Sequence, residues 1–280
     1  MIIWIASYPK SGNTWMRALI STFFYSNKGE FEFELLNKIP KFIQEQYISP
    51  LVDLNKIKEE PLKISEFWES AQVRINLDKR IKFFKTHNAC AAYKKRWFTD
   101  EKNSLGYIYV VRDPRSVVCS LASHSSVSMT QAVDEILNEN NIGYNGPYKL
   151  AELPGSWKIN YLSWKKEKQF QGILIKYEDL IDNTEIELKK VISFLKKTFI
   201  NYGYKESYFL QLEKNLLKNI NSCKFSKLSK MENEKGFTEA RNTKFFRIGK
   251  KDSWKDELNP DLRRKIEASF KDEMIELGYL

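Results

Sequence analysis

The first residues of the chain constrain its fold most strongly. Ile2–Ser7 is a continuous apolar run, and a cluster of Pro, Ser and Gly residues follows it at once. This pattern is typical of a fully buried parallel strand that ends in a loop. From Thr14 to about Tyr25, apolar residues recur at helical spacing. The opening of the chain therefore predicts a strand–loop–helix unit.

Three further short apolar or aromatic runs predict buried strands at Ile81–Lys85, Tyr107–Val111 and Gly172–Tyr177. Helical patterns separate them and predict helices from Pro114 to about Ser123, at Glu187–Lys197, and finally from Asn259-Pro260 onward, with Leu262, Ile266 and Phe270 on its apolar side. Strands that alternate with helices predict an α/β fold, with a central, mainly parallel sheet flanked by helices. We expect a single domain over residues 1–280.

Two segments, Lys28–Asp78 and Cys223–Lys255, do not follow this alternation. The first combines several short elements of mixed type, and the second is polar and only weakly periodic. Loops of this kind are predicted to shape access to a substrate site.

Composition limits the classes of protein to consider. The chain has no apolar run of about eighteen residues, and no basic region precedes its apolar opening, so we expect neither a membrane span nor a cleaved signal. The three cysteines lack the spacing of a zinc site, which predicts free thiols and a cytoplasmic location. The net charge of +10 favours anionic partners without identifying one.

The loop after the first predicted strand has the composition of an anion site. Gly12 permits a tight backbone path, Lys10 adds a positive charge, and Ser11, Asn13 and Thr14 supply short donors at a helix N-terminus. An ordinary capped turn is the alternative interpretation. No stretch of the chain provides the Gly-x-x-x-x-Gly-Lys-Ser/Thr loop of common ATPases and kinases.

The stretch Pro9–Trp15 resembles the 5′-phosphosulfate loop of the sulfotransferases that use 3′-phosphoadenosine 5′-phosphosulfate (PAPS). The usual form of that loop is Pro-Lys-Ser-Gly-Thr-Thr-Trp, and this chain differs from it only at Asn13. A second family motif is an Arg at a strand end with a Ser eight residues later, which together bind the 3′-phosphate of the nucleotide. Arg112 and Ser120 fit that motif.

A third resemblance lies near the C-terminus, where the family has Arg-Lys-Gly-x-x-Gly-Asp-Trp-Lys. Four residues match in register, namely Arg247, Gly249, Trp254 and Lys255. Three depart from the pattern, namely Ile248, Asp252 and Ser253. The resemblance therefore spans nearly the whole chain and implies that Arg247 and Gly249 also contribute to the nucleotide site.

The resemblance also implies a base and a set of aromatic contacts. Cytosolic members of the family carry Lys-Thr-His at the end of a strand, and this chain has Lys85-Thr86-His87. An imidazole titrates near neutral pH, so His87 is the predicted general base, with Lys10 and Lys85 stabilising charge on the transferring group. Tyr177, Trp15 and Phe225 are predicted to hold the adenine, although core packing is the commoner role of such rings. The second histidine, His124, is predicted to lie at the surface or in the acceptor pocket.

These observations predict a sulfotransferase that moves a sulfuryl group from PAPS to a hydroxyl or amine of a small-molecule or glycan acceptor, leaving 3′-phosphoadenosine 5′-phosphate (PAP). No metal, nucleic acid or stable membrane insertion is expected. Two alternatives remain: an ATP-dependent phosphotransferase with a variant loop, and a basic nucleic-acid-binding module in which Tyr93–Trp97 is a short aromatic and basic patch. A protein that keeps the nucleotide site without activity is a third.

Overall fold

The computed structural model describes residues 1–240, 243–247 and 249–280. The strands in chain order are β1 Ile2–Ser7, β2 Lys82–Thr86, β3 Ala92–Tyr93, β4 Arg96–Trp97, β5 Ser104–Val111, β6 Gly143–Asn145, β7 Leu150–Glu152 and β8 Gln171–Lys176. The helices are α1 Asn13–Tyr25, α2 Glu45–Ile48, α3 Leu54–Glu59, α4 Trp68–Ile75, α5 Pro114–Ser125, α6 Met129–Leu137, α7 Trp157–Lys165, α8 Tyr177–Asp182, α9 Thr184–Asn201, α10 Ser207–Glu213, α11 Leu216–Ser222, α12 Phe225–Lys235, α13 Trp254–Glu257, α14 Pro260–Ser269 and α15 Lys271–Glu276. Two 3-10 helices span Phe33–Lys38 and Pro61–Phe67.

Four strands form one parallel sheet in the order β2-β1-β5-β8. Ser7 at the end of β1 lies opposite Val110 near the end of β5. Because all four strands point the same way, their carboxyl ends meet at one edge of the sheet, which is where ligands bind in folds of this type. The loop after β1, His87, Arg112 and Tyr177 all follow such ends and are therefore brought to the same edge.

The sheet is buried on both faces. Alternate residues of β1 point to opposite sides, so Trp4 belongs to one hydrophobic cluster and Ile3 and Ile5 to the other. On the first side Trp4 packs against Phe42 and Phe98, with ring centroids 5.3 and 5.1 Å apart. On the second side α1 and α9 cover the sheet. Burial on both faces explains why the strands appear in the sequence as continuous apolar runs.

The predicted α/β fold with a central parallel sheet is confirmed. The four predicted strands are present, the first with the predicted boundaries and the other three with shifted ones. The predicted end of the fourth strand was wrong, because β8 ends at Lys176 and Tyr177 is the first residue of the helix α8. Glu178 and Asp179 lie in the first turn of α8, where acidic side chains stabilise a helix N-terminus. The Tyr177 ring is therefore placed by a helix that starts at the edge of the sheet.

Two other predictions need correction. The helix that opens at Asn259-Pro260 ends at Ser269, and the separate helix α15 follows it, so it is not the last. The segment from Cys223 to Lys255 contains the helix α12 and the start of α13. Glu232 of α12 accepts hydrogen bonds from the backbone N–H groups of Phe245 and Phe246, at 2.6 and 2.9 Å, a tertiary contact that periodicity cannot reveal. The segment Lys28–Asp78 contains short elements of mixed type, as expected.

Within the described parts of the chain, no helix combines the length and apolarity needed to cross a bilayer. The three cysteines are buried and unbridged. Burial raises the pKa of the Cys119 and Cys223 thiols to about 12, so both are protonated at neutral pH.

Candidate active site

The loop between β1 and α1 forms a tight backbone cradle. Gly12 adopts φ +102°, and a Cβ at this position would lie 2.4 Å from Cδ2 of Tyr177. Both the conformation and the close approach therefore require glycine. Lys10 is also left-handed, with φ 65°, and its Nζ lies 4.1 Å from the centroid of the Phe245 ring. The loop that the sequence predicted as an anion site is thus strained and closely packed.

The hydroxyl and amide side chains of the loop differ in what they contact. Ser11 is fully buried, and its Oγ has no hydrogen-bond partner among the described residues. The Asn13 Nδ2 group donates to the carbonyl of Ile5 at 2.9 Å and to Ser7 Oγ at 3.2 Å. The expectation that the Asn13 side chain offers donors to phosphate is therefore wrong, because both of its N–H groups hold the end of β1.

Arg112 lies at the end of β5, beside the loop. Its Nη1 donates to the carbonyl of Lys10 at 3.1 Å, and its guanidinium lies 4.4 Å from the centroid of the Tyr177 ring. Its Nε is buried and has no partner within the described ranges. The carboxylate of the neighbouring Asp113 pairs with Arg115, at 2.7 Å between Oδ2 and Nη2.

One cleft of about 1010 Å³ runs along this edge of the sheet. It is lined by the following predicted residues: Lys10, Gly12, Asn13, Thr14, Trp15, Lys85, His87, Arg112, Ser120, His124, Tyr177 and Phe225. Ser120 lies on α5, one turn before His124, whose ring meets Phe245 edge to face at 6.0 Å. The structure therefore brings most of the predicted site residues, and His124, to one cleft.

His87 is held by both its backbone and its ring. Its Nδ1 lies 2.8 Å from the carbonyl oxygen of Ser7, which can only accept, so Nδ1 carries the proton and Nε2 is the basic nitrogen. The backbone N–H donates to Glu152 Oε1 at 2.8 Å, and the carbonyl accepts from Asn160 Nδ2 at 2.9 Å. Burial lowers the pKa of His87 to about 3, against the opposing effect of Glu152, so the imidazole is neutral at physiological pH.

A second cluster joins Lys85 to residues that sequence reasoning missed. The Glu239 carboxylate lies 3.2 Å from Lys85 Nζ, 2.5 Å from Arg17 Nη1 and 3.0 Å from Thr14 Oγ1. Arg17 is 4% exposed, and its other nitrogens donate to backbone carbonyls. Burial lowers the pKa of Lys85 to about 8, and Lys85 and Arg17 hold the pKa of the Glu239 carboxyl well below its ordinary value despite its own burial. A carboxylate thus occupies an anion site next to the loop.

The predicted adenine contacts lie together on one side of the cleft. The rings of Trp15 and Tyr177 meet edge to face at 5.8 Å, and Trp15 Nε1 donates to the carbonyl of Cys223 at 2.8 Å. Gly249 adopts φ +61°, and a Cβ there would lie 2.4 Å from the ring of Phe225. The third sequence motif therefore packs its glycine directly against Phe225.

Like Ser11 and Gly249, Arg247 is a predicted nucleotide residue that does not line this cleft. It forms an ion pair with Glu257 at 2.8 Å, with its side chain 36% exposed. Ile248, one of the departures from the family pattern, lies outside the described residues. Within the described ranges, no group of three His, Cys, Asp or Glu side chains is arranged to hold a metal ion.

Comparison with known proteins identifies the family. The sulfotransferase domain family matches residues 2–278. The chain is 23% identical over 291 residues to cytosolic sulfotransferase 17 of Arabidopsis thaliana, covering 99% of this chain and 75% of that protein. It is 25% identical over 299 residues to flavonol 4′-sulfotransferase of Flaveria chlorifolia, covering 99% and 80%.

Solved structures show the same fold. The crystal structure of mouse sulfotransferase SULT7A1 complexed with PAP aligns with a TM-score of 0.57 at 19% identity, over 97% of this chain and 83% of that chain. Retinol dehydratase in complex with androsterone and inactive cofactor PAP aligns with a TM-score of 0.59 at 16% identity, over 98% and 80%. Because the family match spans nearly every residue from the first strand to the last helix, the chain belongs to the sulfotransferase family.

Proposed function

We propose that the protein transfers a sulfuryl group from PAPS to a hydroxyl or amine of a small-molecule or glycan acceptor, with His87 as the general base. One observation carries the proposal. Residues of the Pro9–Trp15 loop, Arg112 and His87 line a single cleft at the carboxyl edge of the sheet. The Ser11 Oγ in the loop and the Arg112 Nε beside it have no hydrogen-bond partner among the described residues.

The residues fit the nucleotide. The buried Ser11 Oγ and Arg112 Nε lack partners within the described chain, and a buried donor without a partner is costly unless a ligand satisfies it. The loop backbone, Ser11 and Thr14 would hold the 5′-phosphate at the N-terminus of α1. Arg112, with Ser120, would bind the 3′-phosphate, which distinguishes PAPS from ATP. We assign the contribution of Asn13 to its backbone N–H, since its side chain is engaged elsewhere.

Arg247 and the aromatic residues complete the proposed nucleotide site. Arg247 would exchange its ion pair with Glu257 for the 3′-phosphate, the role that the third sequence motif implies for it. Trp15, Tyr177 and Phe225 would contact the adenine, and Gly249 allows the third motif to approach Phe225.

In the proposed reaction His87, Lys10 and Lys85 each have one role. PAPS, when bound, supplies a sulfuryl group attached to a phosphate that leaves as part of PAP. His87 accepts the acceptor's proton at Nε2 while Nδ1–H remains on the Ser7 carbonyl, a contribution of about 10²–10⁴-fold in rate. Lys10 would stabilise negative charge on the leaving phosphate oxygen, and Lys85 charge on the sulfuryl oxygens.

The acceptor end of the cleft, next to His87, is polar. Lys41, Gln44, Asn145 and Glu152 line it. Such a lining favours an acceptor with several hydroxyl or amino groups, because these side chains offer it hydrogen-bond donors and acceptors. Flavonols, the acceptors named for the relatives from Flaveria, are therefore one class to test beside sugars and amines.

The alternatives explain less of the site. A phosphotransferase that uses ATP with Mg²⁺ gives no role to the buried Arg112 donor beside the loop. A nucleic-acid-binding module would use the net charge of +10, but it gives no role to His87 or the loop. We place the protein in the cytoplasm, a location that the three buried, unbridged cysteines support.

Calorimetric titration of the protein with PAP, ATP and AMP tests the cofactor. We expect PAP to bind and ATP and AMP to bind far more weakly, and Arg112→Ala to remove the preference for PAP. Equal binding of the three nucleotides, or no binding of PAP, would overturn the proposal. With PAP binding shown, incubation with PAPS and a panel of phenols, sugars and amines identifies the acceptor, and His87→Gln should abolish the transfer.

A further inference from the structure

A buried carboxylate lies directly behind His87. Glu152, the last residue of β7, is 5% exposed, and its Oε1 accepts the backbone N–H of His87 at 2.8 Å. Its Oε2 lies 2.6 Å from Lys41 Nζ. The two oxygens therefore link the predicted base to a cation on the opposite wall of the cleft.

Lys41 is itself held in place. Its Nζ also donates to Asn145 Oδ1 at 2.8 Å, and its backbone pairs with that of Lys85 next to β2. Glu152 and Asn145 belong to the β6–β7 hairpin, in which Asn145 lies opposite Leu150. The hairpin and the segment after the first 3-10 helix thus fix the carboxylate from two sides.

The Glu152 carboxylate is charged in the folded protein. Burial alone would raise the pKa of its carboxyl, but Lys41 and His87 lower that pKa to about 2. A neutral amide or carbonyl would satisfy the His87 N–H equally well, and burying a charge costs far more than burying an amide. Three charged groups act on the His87 ring: Glu152 raises its pKa, whereas Lys85 and Lys41 lower it. The negative charge of Glu152 therefore opposes two nearby cations.

We propose that Glu152 is a positioning residue for sulfuryl transfer, which fixes the backbone of His87 and stabilises the imidazolium that forms during the reaction. The proposal rests on the function proposed above. The proton moves from the acceptor oxygen to Nε2 of His87, and that oxygen keeps the electron pair with which it bonds to sulfur. The bond between sulfur and the phosphate oxygen of PAPS would break at the same time, and PAP would leave with that electron pair. The positive charge created on the ring is then partly balanced by Glu152, while Nδ1–H remains on Ser7.

Glu152→Gln separates charge from hydrogen bonding, because the amide oxygen can still accept from the His87 N–H. The matched control is Glu273→Gln, which removes another buried carboxylate paired with a lysine, Lys158 at 3.0 Å, away from the cleft lining. Glu152→Asp retains the charge with a shorter side chain. Calorimetric binding of PAP to each variant checks that the nucleotide site is intact.

The first readout needs neither cofactor nor acceptor. Diethyl pyrocarbonate modifies neutral imidazole, and peptide mass spectrometry separates His87 from His124, the second of the two histidines. We expect Glu152→Gln to slow modification of His87 by about 3-fold to 10-fold, because the loss of a nearby negative charge reduces the basicity of Nε2. Glu152→Asp should restore most of the rate. The rate at His124, and both rates in Glu273→Gln, should stay at the wild-type values.

The second readout is the transfer reaction with the acceptor identified above. A loss of about tenfold in kcat with an unchanged acceptor KM is expected for Glu152→Gln, since the charge acts only as the proton moves. The role of Glu152 is overturned if His87 is modified at the same rate in Glu152→Gln as in the wild type. It is also overturned if Glu273→Gln slows the modification of His87 as much as Glu152→Gln does. A failure of the wild type to bind PAP overturns the proposed function instead, and the modification rates still decide the effect of Glu152 on His87.

Discussion

The guanidinium carbon of Arg112 lies over the Tyr177 ring, 4.4 Å from its centroid. The same tyrosine ring also packs closely against Gly12 of the Pro9–Trp15 loop. One aromatic residue at the start of α8 therefore sets the positions of both the loop and the arginine.

Replacement of Tyr177 tests this relationship. Tyr177→Leu removes the ring that supports Arg112, and we expect PAP affinity to fall by about tenfold, the size of a partly desolvated cation–π contact. Tyr177→Phe keeps the ring and should bind PAP nearly as the wild type does. Calorimetric titration measures both, and equal affinities for the two variants would show that the ring does not position Arg112.

Gly12→Ala tests whether the close approach of the Tyr177 ring requires a glycine at position 12. Gly203 is the control, because it has a similar φ of +106° but no atom within 4 Å of an added Cβ. Gly203→Ala should cost about 1–2 kcal/mol in free energy of unfolding from backbone strain alone. Gly12→Ala should cost about 1–3 kcal/mol more, because the Tyr177 ring must move.

Urea denaturation gives the two stabilities, and titration with PAP gives the functional effect. PAP binding should be lost in Gly12→Ala and kept in Gly203→Ala. Equal losses of stability in the two variants would mean that strain, and not the approach of Tyr177, requires glycine at position 12.

The Glu239 carboxylate should compete with cofactor. Because it occupies the site formed by Thr14, Arg17 and Lys85, we expect Glu239→Gln to bind PAPS about tenfold more tightly, the effect of losing one charged hydrogen bond that the ligand must displace. The protein without ligand should unfold at a lower temperature, since two buried cations lose their partner. Glu234→Gln, an exposed glutamate on α12, is the control. Unchanged PAPS affinity in Glu239→Gln would contradict the competition.

Acidification should destabilise the protein through His87. Its pKa is lowered from 6.5 to about 3 on folding, so between these values the unfolded chain binds a proton that the folded chain does not. The free energy of unfolding then falls as the pH falls, by up to about 1.4 kcal/mol per pH unit. Glu152, whose pKa is lowered from 4.5 to about 2, stabilises the fold above pH 4.5 and loses this effect as the pH falls toward 2.

Between pH 6.5 and 4.5 the N-terminal amine, whose pKa is lowered to about 6, and Glu178, whose pKa burial raises, also titrate. The difference between the wild type and a histidine variant therefore reports on His87, because those groups are common to both. Urea denaturation at a series of pH values should give a shallower slope for His87→Gln than for the wild type in that window. His124→Gln serves as the comparison. An unchanged slope in His87→Gln would show that the imidazole titrates normally in the folded state.

The main parts of the fold, and the grouping of residues at the candidate site, could be predicted because their signals are local. Buried strands are continuous apolar runs, and the Pro9–Trp15 loop and Arg112 lie at strand ends that a parallel sheet brings together. The Asn13 side chain was assigned wrongly because a short polar residue after a glycine can face either the ligand or the strand end. Only the three-dimensional position of Ile5 and Ser7 decides between them.

Glu239 and Glu152 could not be predicted for a different reason. Glu239 comes from a polar segment without a period, and Glu152 from a three-residue strand of a small hairpin. A single carboxylate in such a context has no sequence signal that separates it from a solvated one. Their partners, Arg17, Lys85 and Lys41, are distant in sequence and meet them only through tertiary packing.

The contact of Glu239 with Arg17 and Lys85 means that the chain carries its own counter-ion. Arrival of the cofactor at this point is then an exchange of one anion for another, and the local charge changes little. The dependence of cofactor affinity on ionic strength should consequently reflect cations outside this pair, Arg112 above all, more than the two that a glutamate already neutralises. We expect the same internal counter-ion to weaken the binding of inorganic phosphate and sulfate between Arg17 and Lys85.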